Sequence, residues 1–276
     1  MGITVNTNLA SMNAITNVNR TNRSLTATLG RISSGSRVLS AADDAAGLGV
    51  AENLDADQKS LKVAQRNIND GISVVQTAEG AASEVGNILK RMRELAVQSS
   101  SGTLANTERA YIQDEFTALS QEVDRIASVT EFNGVQLADG VLGTIDVQVG
   151  IHNTANDRIT VTLGDLTAAT LGVDAAAMDL STAAGAQAAL GGLDTAIDSV
   201  NSYRSNFGAA QNRMESSLQN LEVYTQNLAS AESSIRDADF AYETSEMAKS
   251  QILQQAGMAV LAQANQMNSG VTRLLG

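Results

Sequence analysis

The sequence has no cysteine, no proline and no tryptophan, and a single histidine among its 276 residues. Without cysteine there is no disulfide, no thiolate metal site and no thiol nucleophile, and the chain suits a reducing or an oxidising compartment equally. Without proline every residue keeps its backbone donor, so no ring interrupts a long helix. No X–Pro bond imposes a slow isomerisation on folding either. Aromatic residues make up 3% of the chain, four Phe and four Tyr, too few for a broad globular core. No stretch approaches the roughly 18 consecutive apolar residues of a bilayer-spanning helix, so no membrane insertion is expected. Met1 to Asn8 has neither the basic region nor the apolar segment of a general secretory signal, so export would need another route.

The apolar share is an ordinary 43%, carried mainly by Ala, Leu, Val, Ile and Met, which suit thin helix-on-helix packing. The net charge of −12 opposes phosphate binding. Residues 1–42 hold Arg20, Arg23, Arg31 and Arg37 and no acidic residue. They lack the density of a basic run and any interleaved aromatics, so no nucleic-acid partner is expected.

Both ends carry apolar heptad rows. Ile15, Val18, Asn22, Leu25, Leu29, Ile32, Ser36 and Leu39 alternate steps of 3 and 4 residues, as do Leu253, Gly257, Val260, Ala264, Met267, Val271 and Leu274. This spacing puts one narrow stripe on each helix, made to lie against another helix. The small Ala256, Gly257 and Ala264 keep the second stripe shallow.

Longer stripes predict further helices. One runs through Ile68, Ile72, Val75, Ala78, Ala82, Val85, Leu89, Met92 and Ala96, and another through Ile112, Phe116, Leu119, Val123, Ile126 and Val129. Leu190 to Phe207 and Met214 to Ile235 read as one long helix, open to continuing into the C-terminal stripe. Ser40 with Asp43 fits a capping box at a helix start, and Ser99 to Thr103 reads as a loop. Asn133-Gly134 signals a turn. Ile145, Val147, Val149 and Ile159, Val161, Leu163 alternate with polar residues, which predicts a β-hairpin across a nine-residue loop, Gly150 to Arg158. Residues 164–189 carry no clear pattern. The expected fold is mainly α: long antiparallel helices, a terminal coiled-coil pair with the chain ends side by side, and a small β-hairpin region at about 131–189.

Candidate chemistry is thin. A Ser/His/Asp triad or a histidine metal site would depend on His152, which the pattern leaves in the hairpin loop without a supporting constellation. Asp43 and Asp44 point about 100° apart on a helix, so they do not converge on one substrate, and negative charge in a first turn simply favours the dipole. Gly47-Leu-Gly49 lacks the Lys, the other glycines and the strand of a phosphate loop, and small residues for close helix approach account for it. No enzyme, cofactor or metal is expected. Arg91-Met-Arg-Glu-Leu95 surrounds an apolar stripe with charge, and Glu115 and Asp124 supply opposite charges on the next helix.

The local sequences resemble the bacterial flagellins. The matching segments are Asn6-Thr-Asn-Leu9, Leu29-Gly-Arg-Ile-Ser-Ser-Gly35, Ser40-Ala-Ala-Asp-Asp-Ala-Ala-Gly-Leu48, Arg91-Met-Arg-Glu-Leu-Ala-Val-Gln98 and Glu131-Phe-Asn-Gly134. Ile252-Leu-Gln-Gln-Ala-Gly257, Val260-Leu-Ala-Gln-Ala-Asn-Gln266 and Leu274-Leu275 complete the set. The resemblance implies a short form without large central surface domains. Residues 1–42 and 236–276 would be an inner coiled-coil layer, and residues 43–235 an outer tube of long helices. It implies a subunit that polymerises with itself into an extracellular swimming filament after unfolded export by the flagellar type III apparatus. An export chaperone, cap and hook-junction proteins are the implied partners. Arg91, Leu95 and Glu115 fall on positions read by a vertebrate Toll-like receptor. A hook-junction or translocator-like protein and a chemoreceptor-like hairpin are the alternatives; the middle motifs speak against the first, and the lack of a membrane span against the second. The terminal rows, Ile15, Val18, Leu25, Leu29, Ile32 and Leu253, Gly257, Val260, Ala264, Met267, Val271, Leu274, would be the self-assembly seams.

Overall fold

A computed structural model describes residues 7–275, with side chains over residues 7–266. Met267, Val271 and Leu274 of the C-terminal row therefore lie outside the described side chains. The elements are α1 (Leu9–Ser34), α2 (Ala45–Ser99), α3 (Asn106–Val129), β1 (Glu131–Phe132), β2 (Val135–Gln136), β3 (Thr144–Gln148), β4 (Arg158–Thr162), α4 (Ala168–Leu171), α5 (Ala183–Arg236) and α6 (Phe240–Leu275). The fold is mainly α with two small antiparallel hairpins. Two compact units emerge, Met1–Gln58 with Gln226–Gly276, and Lys59–Thr225; their boundaries fall within α2 and α5.

In the 1–58/226–276 unit, helix ends are set by short polar side chains. Asn8 caps α1 by accepting from Ser11 N at 3.1 Å, and Gly35 closes it in the left-handed region at φ 71, where a glycine carries no Cβ penalty. The expected capping box at Ser40 does not form. Asp43 Oδ2 instead accepts from Leu39 N, Ser40 N and Ser40 Oγ, at 3.2, 3.0 and 3.1 Å, which closes a turn before the helix. Hydrogen bonds from Ser40 hold the Asp43 carboxyl below its usual range. Asp44 takes the cap, accepting from Gly47 N at 2.8 Å. A Cβ on Gly47 would lie 2.3 Å from Asp44 Oδ2, so this glycine serves the cap rather than a neighbouring helix. Neither aspartate lies in the first turn.

Nor does α5 run on into the C-terminal row. Asp239 Oδ1 accepts from Ala241 N and Tyr242 N at 2.9 and 3.2 Å, capping a new helix. The connection between α1 and α2 breaks at the same level. Ser36 pairs with Asp237 as an antiparallel bridge, Arg37 N donates to Arg236 O at 2.6 Å and Ala238 N to Gly35 O at 2.9 Å. Two helix ends without intrahelical partners thus satisfy each other.

The 59–225 unit holds the hydrophobic core. The α2 stripe is buried from Ile68 to Ala96, with Leu95 added and Ile72 at its edge. From α3 come Ile112, Phe116, Val123 and Ala127, and from α5 Leu193, Val200, Phe207 and Met214. On α3, Val129 is exposed, because the helix ends there at Thr130. Within this unit α2 and α5 run antiparallel, shown by Glu79 with Arg204 at 2.8 Å and Arg93 with Asp194 at 2.6 Å. Gly71 admits Val147 from β3, which would stand 2.8 Å from a Cβ, and Met214 from α5 at 3.0 Å. Strands β3 and β4 form the expected hairpin, with Val147 opposite Ile159 and Arg158 inside β4 rather than in the loop, and bury Val147, Ile159 and Val161 on one face. The nine connecting residues contain a short 3-10 turn at Ala155–Asp157. Asn133 (φ 51) and Gly134 (φ 78) form the two-residue turn between β1 and β2; positive φ at both positions matches the right-handed strand twist.

Residues 164–189 combine local caps, such as Asp165 Oδ1 accepting from Thr167 N at 3.0 Å and Thr182 Oγ1 from Gly185 N at 3.1 Å, with side chains from elsewhere. Asp124 Oδ1 accepts from Ala168 N at 2.8 Å at the start of α4. The Gln113 amide accepts from Leu180 N at 2.6 Å and donates to Met178 O at 3.3 Å. Ser99 Oγ donates to Leu180 O at 2.6 Å.

Candidate self-association surface

Within the terminal unit α1 and α6 pack antiparallel. Asn8 Nδ2 donates to Ala264 O (3.0 Å), Ser11 Oγ to Asn265 Oδ1 (2.9 Å), Gln254 Nε2 to Asn22 Oδ1 (2.7 Å) and Arg31 Nη1 to Glu243 Oε1 (3.3 Å). As the number rises along α1 it falls along α6, so the start of α1 lies beside Ala264 and Asn265; the chain ends themselves lie outside the described residues.

The row that closes this pair is not the row of largest apolar residues. On α1 the buried and half-buried positions are Ser11, Ala14, Val18, Thr21, Asn22, Leu25, Thr28, Gly30, Arg31 and Ile32. On α6 they include Glu243, Ser250, Gly257 and Ala264, which step by seven residues, with Met247, Gln254 and Leu261 between them. Of the expected seam, Val18, Leu25, Ile32, Gly257 and Ala264 take part. Ile15, Leu29, Leu253 and Val260 stay exposed, at 45, 46, 50 and 57%. Leu9, Met12, Ile252 and Met258 are exposed as well. The inner row is small because the helices approach closely: a Cβ on Gly257 would stand 2.8 Å from Val18 Cγ2. Beside that contact lies an open groove of about 380 Å³ bordered by Asn17, Arg20, Leu253, Ala256 and Val260.

The Arg31–Glu243 pair was not legible in the sequence; Glu243 is 4% exposed, and Arg31 Nε has no hydrogen-bond partner. A signal existed, in the seven-residue repeat of small or polar residues from Glu243 to Ala264. The pair thus spends its inner face on small residues and leaves large apolar ones outside, an exposed apolar row of the kind found at interaction surfaces.

The second expected site lies on α2 and α3. Arg91 Nη2 meets Glu115 Oε1 at 2.8 Å and Arg91 Nη1 meets Glu94 Oε2 at 3.0 Å, all half-exposed or more. Hydrogen bonds from Glu115 and then Glu94 raise the Arg91 pKa above its ordinary value. Leu95 does not join them at the surface. It is 1% exposed within the core, so a protein reading this face meets Arg91 and Glu115 but not the Leu95 side chain. His152 borders a shallow groove with Ser60, Asn67 and Gln148, and its carbonyl accepts from Gln148 Nε2 at 3.0 Å. Among the described residues no group of His, Cys, Asp or Glu is arranged to hold a metal ion, and no helix is long and apolar enough to cross a membrane.

Long helices, two minimal hairpins and a terminal helix pair with an outward apolar row define a structural subunit of the self-associating helical class. The comparisons name the family. Residues 5–142 match the bacterial flagellin N-terminal helical region and residues 190–275 the bacterial flagellin C-terminal helical region. The chain is 42% identical over 271 residues to a flagellin of Halalkalibacterium halodurans, covering 98% of this chain and 99% of that protein. It is 40% identical over 282 residues to the flagellar filament core protein flaB2 of Brachyspira hyodysenteriae, with the same coverage. The crystal structure of Bacillus cereus flagellin aligns at a TM-score of 0.49 and 32% identity, covering 60% of this chain and 94% of that one. The chain belongs to the flagellin family: it is a structural filament subunit and not an enzyme.

Proposed function

We propose that this chain builds the bulk of a swimming filament by stacking α1 and α6 against the same helices of neighbouring copies. The outward row Ile15, Leu29, Leu253 and Val260 carries the reading, since these residues are exposed along a helix pair already closed on its inner side. Met267, Val271 and Leu274 extend the row in sequence. In the polymer, residues 1–42 and 236–276 form the inner layer and residues 43–235 the outer one. The chain travels unfolded through the flagellar type III apparatus, attended by an export chaperone, and meets hook-junction and cap proteins at the filament's ends. The lack of cysteine and proline supports threading, because nothing covalent or slow to isomerise must be undone. Purified subunits added to short seeds should grow long filaments without other proteins, and Leu253→Asp should suppress growth at least tenfold, since burying a charge in that row is costly. Electron microscopy showing normal filaments from Leu253→Asp would remove the row from the interface. Growth only with added proteins would favour a junction subunit.

The ends order on assembly. Ordering a residue costs about 1–2 kcal/mol of backbone entropy, while burying a Leu or Val side chain contributes roughly 1.5–3 kcal/mol. An inner row of Ser11, Ala14, Thr28, Ser250 and Ala264 supplies little of that stabilisation until other copies cover the outer row. Amide exchange over residues 9–34 and 240–266 should be fast in the monomer and slow in the filament. Strong protection in the monomer would defeat the coupling.

Arg91 and Glu115 also form the face through which a vertebrate Toll-like receptor detects the monomer. Leu95 supports that face from beneath. A receptor reporter assay should respond to wild-type monomer and lose most of its response to Arg91→Ala; silence at saturating wild-type monomer would end this reading.

A further inference from the structure

The net charge of −12 makes copies of this chain repel one another, so cations left unneutralised on the surface are the places where copies can attract. Four of the eight arginines of the 59–225 unit are already engaged by carboxylates: Arg91 with Glu115, Arg93 with Asp194, Arg125 with Glu122 and Arg204 with Glu79. Among the described residues the other four, Arg66, Arg109, Arg158 and Arg213, have no carboxylate; Arg109 is buried against carbonyls, while Arg158 and Arg213 lie together at the surface. Arg158, at the start of β4, is held only by neutral groups, Gln148 Oε1 at 3.2 Å and Asn153 Oδ1. Arg213 on α5 has no polar partner at all within the described residues. Tertiary folding brings both to one open groove of about 400 Å³, bordered also by Asn156, Asn212, Ser216 and Ser217. Asn212, Arg213, Ser216 and Ser217 lie on one face of α5 by their i, i+4 spacing. The groove is therefore two guanidinium forks and a bank of uncommitted hydroxyls and amides, the donor set that receives carboxylates.

A face of opposite sign exists on the same unit. Glu84 on α2 and Glu131 on β1 border a groove of about 570 Å³ between α2 and α3. Its third carboxylate, Glu122, is neutralised by Arg125 at 2.6 Å, while Glu84 and Glu131 have no cation among the described residues. The two grooves share no residue and no secondary-structure element, so one molecule can use both at once.

We propose that the Arg158–Arg213 groove of one copy receives the Glu84–Glu131 face of the next copy in the polymer. This rests on the polymer reading above and specifies which charged faces meet. The contact is heterologous: the two surfaces differ, so each addition leaves a free groove and a free acidic face, and growth stays open-ended. It also sets register between the outer parts of neighbouring subunits, which the apolar terminal rows, being repetitive, specify less sharply. Complementary charge acts mainly on the rate of correct encounter.

The test is seeded growth of the full-length subunit, followed by light scattering at about 50 and 500 mM salt. Arg213→Glu and Glu131→Arg should each slow elongation on the order of tenfold at the lower salt. The double variant should return to within about threefold of wild type, because each interface again pairs opposite charges. Ser217→Asp, which adds a carboxylate while sparing both arginines, should also slow growth. The salt dependence of the wild type should shrink in the single variants. Monomer melting temperatures should not move, since Arg213 and Glu131 lose no internal partner. Wild-type elongation rates in both single variants, or a double variant no better than the worse single one, would overturn the interlock while leaving the polymer reading intact. Wild type that never elongates would take both readings down. If Arg213→Glu merely abolishes the spectral shift caused by inorganic phosphate and leaves growth unchanged, the groove is a small-anion site and the interlock is wrong.

Discussion

Arg109→Ala should lower the melting temperature of the 59–225 unit by about 10 °C. Arg109 is 5% exposed and faces no carboxylate. Its guanidinium donates from Nε to Ser99 O at 2.9 Å, from Nη2 to Ser101 O at 2.7 Å and from Nη1 to Asn106 Oδ1 at 3.1 Å. Ser99 is the last residue of α2 and is itself fully buried. The arginine therefore supplies donors to carbonyls that a helix end leaves without intrahelical partners, and places positive charge at the negative end of the α2 dipole. Alanine removes the charge, so no cation is stranded, but it leaves buried carbonyls without donors at about 1–3 kcal/mol each, plus a cavity. The sum, roughly 3–4 kcal/mol, converts at about 2–4 °C per kcal/mol for a domain of this size. Arg109→Lys keeps the charge and at most part of the fork, so its loss should fall between. Calorimetry of the monomer decides the matter: an alanine variant melting within about 2 °C of wild type would show that water replaces the guanidinium at no cost.

Gly257→Leu should abolish or severely slow filament growth while leaving the 59–225 unit's melting unchanged. A Cβ alone would stand 2.8 Å from Val18 Cγ2, closer than real Cβ contacts allow, and a leucyl group would force α1 and α6 apart. Glycine within a helix costs about 1 kcal/mol relative to alanine, so its presence here is explained by the approach it permits. Overpacking typically costs about 1–3 kcal/mol. Separating the helices also displaces Ile15 and Leu29 relative to Leu253 and Val260, and so distorts the row offered to neighbours. Val18→Ala in the same chain removes the methyl that collides and should restore part of the growth rate. Normal elongation of Gly257→Leu, measured by seeded scattering and microscopy, would mean that the pair seen here is not the pair used in assembly.

Much of the fold was legible because it is periodic. The α2 stripe from Ile68 to Ala96 is buried on the face that a 3.6-residue period assigns. The alternation of Ile145, Val147, Ile159 and Val161 produced the expected ladder, and Asn133-Gly134 the expected turn. Helix starts were read less well. Ser40 and Asp43 satisfy a capping-box spacing, yet Asp44 caps α2, because two adjacent aspartates compete for the two jobs of closing a turn and capping a helix. Residues 164–189 carried no pattern, since Asp124, Gln113 and Ser99 hold that stretch from other elements.

The sequence by itself determined that both ends are heptad helices, that the middle is a long-helix core with a small hairpin, and that no thiol, proline or histidine constellation complicates the chain. Tertiary structure decided which row of each terminal helix faces inward. A helix with apolar and small residues at overlapping heptad positions offers two rows that share Val18, Leu25 and Ile32, and spacing alone favours the larger residues. The choice fell to contacts between residues 212 to 256 positions apart, Arg31 with Glu243 and Asn8 with Ala264, and to the close approach of Val18 to Gly257. Contacts of that range require both partners in place. They turned the small row inward and left the large one exposed.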